Sequence, residues 1–528
     1  MTHRALPKHP DIDHLKRQAK ALLRAVKAGD NAALVRVRAL PAFAQISTDE
    51  LRHTSFALHD VQSVIAREYG FSSWKALSER VEESTLDSDS AAREFIEAAT
   101  DGRDSRAARL LRLHPEVREA GFHAALVLGD SRRAGQWLSE NPQLACEPGG
   151  PRGWQPLLYV CHDLLSHDSV MDPGGLVDIA RQLLELGADP NTRFPWMHHG
   201  VHRPALWGAT LVTQLLPLSK LLLGARADAN DGVTFPLAAG AANVAALDLL
   251  LAHGADPNQA WASDGSTTLY AALQWATRPR GIIWLLEHGA QPDTVFAENG
   301  ETPLHVVAKR WDAALAKALV ERGADVSRRR KDGRTPYAIA ELNGNRSVAD
   351  FLLQHGSSSE LHSVDQLVAL CSRGDRKAAG LLLNDNPELS TQIEAEHYVA
   401  LYQAAERGDT NAIGALLENG FDPNRGDEEI GKTALHCAAM AGRANAVRLL
   451  LAHGASPAVR DREFDATPLI WAADGARSHD DKKPEYAAIG RLLLDAGSPV
   501  EWHSSEEPAE ELLEILDGWR RVRPGRQP

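Results

Sequence analysis

The sequence predicts an all-α fold made of short helix pairs that stack on one another. A tail of the form L-L-x-x-G-A-D-P-N recurs along the chain, ending for example at Asn191, Asn258 and Asn424. The glycines of successive tails lie 35, 34 and 33 residues apart between Gly254 and Gly356. Only 6% of the residues are aromatic, while alanine and leucine abound, which suits short helices in close contact.

Residues 300–326 contain every part of one repeat. Thr302 and Pro303 open a first helix. Proline is suited to the first position of a helix, because the backbone N–H that it lacks has no hydrogen-bond partner there. Asp312 caps a second helix, and Gly323 supplies the left-handed residue that ends it. Neither helix is long enough to be stable alone in water, so each pair has to stack on its neighbours.

The opening of the repeat also recurs. The T-P-L-H sequence is complete at residues 302–305, nearly complete at 433–436, and more divergent at 267–269, 335–337 and 467–469. A period of about 33 residues with this head resembles the ankyrin repeat. The resemblance covers roughly residues 90–500 and implies about a dozen antiparallel helix pairs with hairpin tips on one side. It also implies a concave surface formed by the tips and first helices, and a structural role for His305 and His436.

The order of motifs predicts four regions. Residues 1–86 form a helical N-terminal region, 91–357 a first array, 361–500 a second array, and 501–528 a capping helix and tail. Each array opens with repeats that lack a hairpin tip, and the polar residues 83–90 are the expected linker. The segment AREYGFSSWKAL resembles one that precedes ankyrin arrays in bacterial proteins, which implies a bacterial origin.

Charge and composition exclude several function classes. The formal charge is −14 and the pI about 5.9, whereas a general nucleic-acid binder or anionic-membrane binder needs a basic face. The four cysteines show no C-x-x-C spacing, and no run of 18 apolar residues occurs. The N-terminus has no apolar segment typical of a signal peptide. We therefore expect a cytoplasmic, monomeric protein without a cofactor.

Three insertions interrupt the repeat period, at about residues 162–175, 194–203 and 475–486. The second insertion carries His198, His199 and His202, and three imidazoles within five residues could bind a divalent transition metal. Exposed aromatic and polar tips more often contact a partner, and inert surface is the third interpretation. Because adjacent repeats bring neighbouring insertions together, we predict partner contacts at Trp154, His162, His167, Trp196, His198, His199, His202, Trp207 and Trp275.

Other motifs in the sequence are expected to have no catalytic role. Residues 426–433 match the phosphate-binding pattern G-x-x-x-x-G-K-T, but a helix and turn precede them instead of a strand. Residues 161–163 and 166–168 combine a nucleophile, a histidine and an aspartate, yet consecutive helix residues do not face one another. The basic run 328–331 lies on a tip, either as a solvated face or as a site for an acidic peptide.

The function predicted from these observations is a non-catalytic scaffold that binds another protein through the concave face and tips of the array. This step is an analogy, because a fold does not determine a function. The alternative is an enzyme or metal-dependent sensor built on the histidine-rich insertions, at residues 162–172 and 194–203.

Overall fold

The computed structural model describes residues 4–499 apart from residues 8–9, 41–42, 44–45, 55, 102, 163–171, 196–201, 263 and 479–482. The chain divides into two compact units, Met1–Thr268 and Leu269–Pro528. The capping helix predicted in residues 501–528 lies outside the described residues. The predicted boundaries between the N-terminal region, the two arrays and the tail stay predictions.

The N-terminal region is helical and has its own apolar core. Its helices are α1 (Ile12–Lys27), α2 (Asn31–Val37), α3 (Thr48–Arg52), α4 (Leu58–Glu68) and α5 (Trp74–Ser84). The side chain of Ser73 caps α5 by accepting a hydrogen bond from the amide of Ala76 at 3.1 Å. Leu15, Leu34 and Ile65 are among the residues of the core that these helices enclose.

The segment predicted as a linker is mostly helical. Helix α5 continues to Ser84 and the next helix begins at Ser88, so only three residues separate them. Glu83 is buried, and its carboxylate accepts hydrogen bonds from Arg109 at 2.9 and 3.1 Å. This partly buried ion pair joins α5 to the helix that contains Arg109, α7 (Asp104–Leu113).

The remaining elements of the first unit form helix pairs and one small hairpin. The helices are α6 (Ser88–Ala99), α7 (Asp104–Leu113), α8 (Phe122–Leu128), α9 (Ser131–Glu140), α10 (Pro156–Cys161), α11 (Pro173–Glu185), α12 (Ala205–Trp207), α13 (Leu216–Gly224), α14 (Thr234–Gly240) and α15 (Val244–Ala252). The hairpin pairs β1 (Arg193–Pro195) with β2 (His202–Pro204) in antiparallel register, and Phe194 stands opposite Arg203. No other sheet occurs in the ranges described above.

The second unit contains the more regular repeats. Its helices are α16 (Thr268–Trp275), α17 (Arg280–Glu287), α18 (Pro303–Arg310), α19 (Ala313–Val320), α20 (Pro336–Leu342), α21 (Arg346–Gln354), α22 (Ser363–Ser372), α23 (Arg376–Asp385), α24 (Val399–Arg407), α25 (Thr410–Glu418), α26 (Ala434–Met440), α27 (Ala444–Ala452), α28 (Pro468–Ser478) and α29 (Lys483–Asp495). None of the helices in the described ranges is both long and apolar enough to cross a membrane.

Within each unit, the helices form two stacked rows. In the second unit α18, α20, α22, α24, α26 and α28 pack successively on one another as the first row. The contact between α20 and α22 spans residues 357–361, so stacking continues through the polar break. In the first unit α9, α11, α13 and α15 form a comparable second row. The predicted all-α solenoid is thereby confirmed.

Where the repeat tail ends in asparagine, that side chain links the repeat to the next one. The side chain of Asn424 donates to the carbonyl of Gly454 at 3.0 Å and accepts from the amide of Ser456 at 2.7 Å. Asn230 makes the same pair of bonds with Gly254 and Asp256 in the first unit. These bonds satisfy backbone groups at the helix end that would otherwise lack partners. The G-A-D-P-N motif thus joins neighbouring repeats as well as ending a helix.

Candidate functional site

Two of the three insertions begin at one aromatic cluster in the first unit. His162 directly follows α10 and is the last described residue before the gap at 163–171. Its ring lies 4.8 Å from that of Phe194, the first residue of the second insertion, and 5.4 Å from that of Trp207, which follows that insertion. The bases of both insertions therefore lie against each other.

Trp154 completes this cluster from the hairpin turn before α10. Its ring lies 4.3 Å from that of Phe194, tilted by 32°, and 5.7 Å from that of His162. The turn is held by Tyr159, whose hydroxyl donates to the carbonyl of Gly149 at 2.8 Å and accepts from the amide of Arg152 at 3.0 Å. Trp154 remains half-buried, so part of its indole borders the surface. We call Trp154, His162, Phe194 and Trp207 the aromatic platform.

The chemistry of His162 is set by its burial. Only 3% of the residue is exposed, and burial lowers its pKa to about 3, so the ring is neutral near pH 7. Its Nδ1 donates to the carbonyl of Leu158 at 3.0 Å, and its Nε2 has no hydrogen-bond partner within the described ranges. A Cβ at Gly208 would stand 2.6 Å from the ring, so only glycine allows the histidine this position.

An arginine lies over each tryptophan of the platform. The guanidinium carbon of Arg152 stands 5.1 Å from the centre of the Trp154 ring, and that of Arg203 stands 4.7 Å from Trp207. Such cation–π contacts are favourable, more so where water is partly excluded. Burial lowers the pKa of Arg203. The arginines therefore cover part of each indole and place positive charge at the edge of the platform.

Nothing in the platform is arranged for nucleophilic catalysis. The thiol of Cys161 is fully buried, and burial raises its pKa far above neutrality, so it stays protonated. His162 follows it directly in the chain, and its Nδ1 is occupied by a backbone carbonyl. In the part of the chain that the structure describes, no three histidine, cysteine or acidic side chains converge as a metal site. The platform instead forms a set of packed rings that is largely apolar.

The structure brings together three of the nine residues predicted as partner contacts. Trp154, His162 and Trp207 form most of the platform, whereas His202 is exposed on β2 of the adjoining hairpin. Trp275 lies in the second unit at the end of α16 and is 41% exposed. The other four lie outside the described residues: His167, Trp196, His198 and His199. The role of all nine as partner contacts stays a prediction.

Sequence reasoning missed the residues that hold the platform together. Phe194 is in ring contact with Trp154 and His162, and Arg203 faces it across the hairpin. Phe194 belongs to the same insertion as the histidines, so its position in the sequence was a usable signal. Tyr159 carries no such signal, because its contact with the turn at Gly149 depends on the fold.

The phosphate-loop pattern at residues 426–433 already holds an internal anion. The Oδ1 atom of Asp427 accepts hydrogen bonds from the amides of Ile430, Gly431 and Lys432 at 3.0, 2.7 and 3.2 Å. Lys432 also approaches the same carboxylate at 3.5 Å. The amides that would bind a phosphate are thus occupied by a carboxylate of the loop itself.

The head histidines have the structural role that the resemblance implies. Nδ1 of His305 bonds to Thr302 at 2.9 Å, and its Nε2 bonds to the carbonyl of Arg334 in the next tip at 3.2 Å. His436 makes the equivalent contacts with Thr433 and Ala466 at 2.9 and 3.1 Å. Each histidine therefore both caps its own helix and joins the following tip.

A family model described as "Ankyrin repeats (3 copies)" matches the chain at residues 282–363, 367–461 and 401–497. No curated protein matches the chain. The matched residues are the helix pairs of the second unit, with their T-P-L-H heads, inter-repeat histidine bonds and asparagine links. Residues 282–363 and 367–497 thus consist of ankyrin repeats.

Proposed function

We propose that the protein is a non-catalytic scaffold that binds a partner protein through the concave face and hairpin tips of its array. We place the main contact at the aromatic platform and the two insertions that start from it. The observation that carries this proposal is the convergence of both insertions on one set of rings, with His162 4.8 Å from Phe194. Ankyrin repeats in general support a role in protein interaction.

The physical argument is that insertions rooted in packed aromatic side chains form a preorganised surface. Trp154 and Trp207 are half-buried and held by ring and cation contacts, so little side-chain entropy remains to be lost when a partner binds. Tryptophan and arginine are also the residues most enriched at binding hot spots. Insertions in repeat proteins often lie on the binding face.

The proposal is tested by replacing residues 196–201 with a glycine-serine segment of the same length. We expect this variant to lose the proteins that the intact chain captures after cross-linking in cells, because β1 and β2 remain while the side chains between them are gone. The matched control replaces residues 479–482, which belong to the insertion in the other unit. Recovery of the same proteins by all three chains would show that the 196–201 insertion is not the contact.

The alternative function, an enzyme or metal-dependent sensor, rests on the histidines of the insertions. One observation favours it: the neutral ring of His162 donates from Nδ1 to a carbonyl, which orients histidine ligands in many metal sites. Stoichiometric zinc or iron in purified protein, lost when His198, His199 and His202 are replaced by alanine, would support this function. Metal-free protein that still captures its partner would exclude it. Cytoplasmic location and a monomeric state also stay predictions.

A further inference from the structure

Two neighbouring hairpin tips of the second unit enclose a shallow cleft of about 510 Å³. The residues that give it its chemistry are Arg425, Asp427, Glu428, Arg460 and Arg462. Three arginines at one place stand out in a chain whose formal charge is −14. We call this site the arginine cleft.

The two tips are joined by Arg462. Its amide donates to the carbonyl of Ile430 at 2.6 Å, and its Nη2 donates to the carbonyls of Asp427 and Glu428 at 2.7 and 2.6 Å. A Cβ at Gly431 would stand 3.1 Å from the Nε of Arg462, so glycine lets the guanidinium lie close to the loop. The floor of the cleft is consequently held by hydrogen bonds before any ligand arrives.

Positive charge in the cleft is only partly neutralised. Arg425 is exposed, and its guanidinium carbon lies 5.8 Å from the centre of the Tyr398 ring. Among the described residues, neither Arg425 nor Arg462 forms an ion pair with a carboxylate. Asp427 is occupied by three backbone amides and Lys432, which leaves Glu428 as the acidic side chain on the cleft wall. Arg460 is paired with Asp465 at 3.5 Å.

The second tip also presents Phe464, two residues after Arg462 in the chain. This side chain is 64% exposed, more than any other large hydrophobic residue in the described ranges. The Oδ1 atom of Asp461 accepts from the amide of Phe464 at 2.6 Å, and the following Asp465 has φ of +49°. Aspartate is one of the residues that adopt this left-handed conformation more readily than others. The bond to Asp461 thus fixes the backbone of the turn at Phe464, whose ring stays exposed.

We infer that the arginine cleft binds an acidic segment of a partner protein. A partner carboxylate pairs with Arg425, whose forked donors match a carboxylate geometrically. The positive charge of Arg462, whose Nη2 is held by two carbonyls, lines the same cleft, and a neighbouring apolar side chain of the partner packs on Phe464. The inference rests on the proposed function only in taking the partner to be a protein. The site itself lies in the second unit, whereas the aromatic platform lies in the first.

The test is a selection of random peptides displayed on phage against the full chain and against an Arg425→Gln/Phe464→Ser variant. We expect the wild-type chain to enrich peptides that combine aspartate or glutamate with an apolar residue, and the variant to enrich none. A synthetic copy of the enriched peptide should bind about tenfold to a hundredfold more weakly to Arg425→Gln, because a charge-assisted hydrogen bond is lost. Binding should also weaken at high salt.

The matched control is Arg448→Gln, which removes another exposed arginine, from α27. This variant should bind the peptide as the wild type does. Three results would overturn the inference: selection of no acidic motif, the same motif selected by the Arg425→Gln/Phe464→Ser variant, or displacement of the peptide by inorganic phosphate alone. The last result would identify a site for free anions. None of these outcomes bears on the replacement of residues 196–201, so the two proposals fail separately.

Discussion

Two tips of the second unit are rich in arginine, yet they use the charge differently. At residues 328–334 the basic side chains are bound within the chain: Arg330 pairs with Glu301 at 2.8 Å and Arg334 pairs with Asp365 at 2.7 Å. In the arginine cleft, Arg425 and Arg462 are exposed and have no ion pair with a described carboxylate. The basic side chains at residues 328–334 are thus less available to a partner than those of the arginine cleft.

The first tip is a buried ionic network. Arg334 is 6% exposed and binds Asp365 through two parallel hydrogen bonds of 2.7 and 2.8 Å, while His397 bonds to the same carboxylate at 3.2 Å. Burial alone would lower the pKa of Arg334, but the hydrogen bonds to Asp365 and Glu396 outweigh it and raise the pKa. Within residues 328–331 only Arg330 belongs to such a buried network, since Arg328 and Arg329 form exposed surface pairs. Lys331 donates to the carbonyl of Glu298, so the acidic-peptide interpretation of the run stays a prediction.

In Glu301, an acidic residue, burial and paired charges also shift the pKa in opposite directions. It is 1% exposed and is contacted by Lys309, by Arg330 and by the hydroxyl of Tyr270 at 2.9 Å. Burial alone would raise its pKa, but the two cations and the tyrosine lower it to about 2. The comparison of the two tips teaches that a charge is available to a partner only where the fold has not paired it.

The largest expected effect comes from Arg334→Ala. Removing the arginine leaves the buried Asp365 unpaired, which we expect to lower the free energy of unfolding by about 3–5 kcal/mol. Arg425→Ala, the matched change in the other tip, should alter it by no more than about 0.5 kcal/mol. Hydrogen exchange of the amides in α20 and α22, compared between the two variants, measures this difference. Equal protection of these amides in the two variants would contradict the expectation that Arg334 stabilises the fold and Arg425 does not.

A smaller loss of stability is expected when the pH is lowered. It should act through His305, which bonds to the tip at Arg334, and through His436, which bonds to the tip at Ala466. Burial lowers the pKa of His305 and of His436 to about 4, whereas an unfolded histidine titrates near 6.5. Between these pKa values the unfolded state thus binds more protons than the folded state. The contribution of each neutral histidine to the free energy of unfolding is therefore complete above pH 6.5 and falls as the pH drops. Between pH 6.5 and 4.5 the free energy of unfolding should fall by about 2–3 kcal/mol for each of the two histidines.

The measurement for this prediction is the urea midpoint as a function of pH, with His305→Gln as the comparison. The variant should be less stable at pH 7.5 because the bonds to Thr302 and Arg334 are lost, yet its stability should depend less on pH between 6.5 and 4.5. The pKa of Glu301 is lowered to about 2, so protonation of that carboxylate reduces stability mainly below pH 4.5. An unchanged pH dependence in the variant would show that His305 does not titrate on unfolding.

The smallest effect is expected at Arg328, on the edge of the first tip. Arg328 pairs with Asp293 at 2.7 Å, but its side chain is 44% exposed and water and salt screen the pair. Arg328→Gln should leave the thermal midpoint unchanged within error at high salt. A clear fall in that midpoint would mean that the ionic network extends to the surface, which would weaken the contrast between the two tips.

Much of the repeat architecture could be predicted from the sequence, because it depends on local chemistry. Gly254, Gly323 and Gly454 follow their helices with φ of +90°, +102° and +85°, as left-handed helix caps require. In α17, Trp284 is 5% exposed, whereas Trp275 at the end of α16 is 41% exposed. These outcomes follow from helical spacing, which fixes the face on which a side chain stands.

The sequence by itself determined the period, the caps and the need of each helix pair for its neighbours, since those properties arise within about one repeat. Only the tertiary structure decided which polar and aromatic groups meet. Arg334 reaches Asp365, His162 reaches Phe194, and Asp427 folds back on its own loop. The physical reason is that side-chain pairing depends on distances between repeats, which the linear order of residues does not specify.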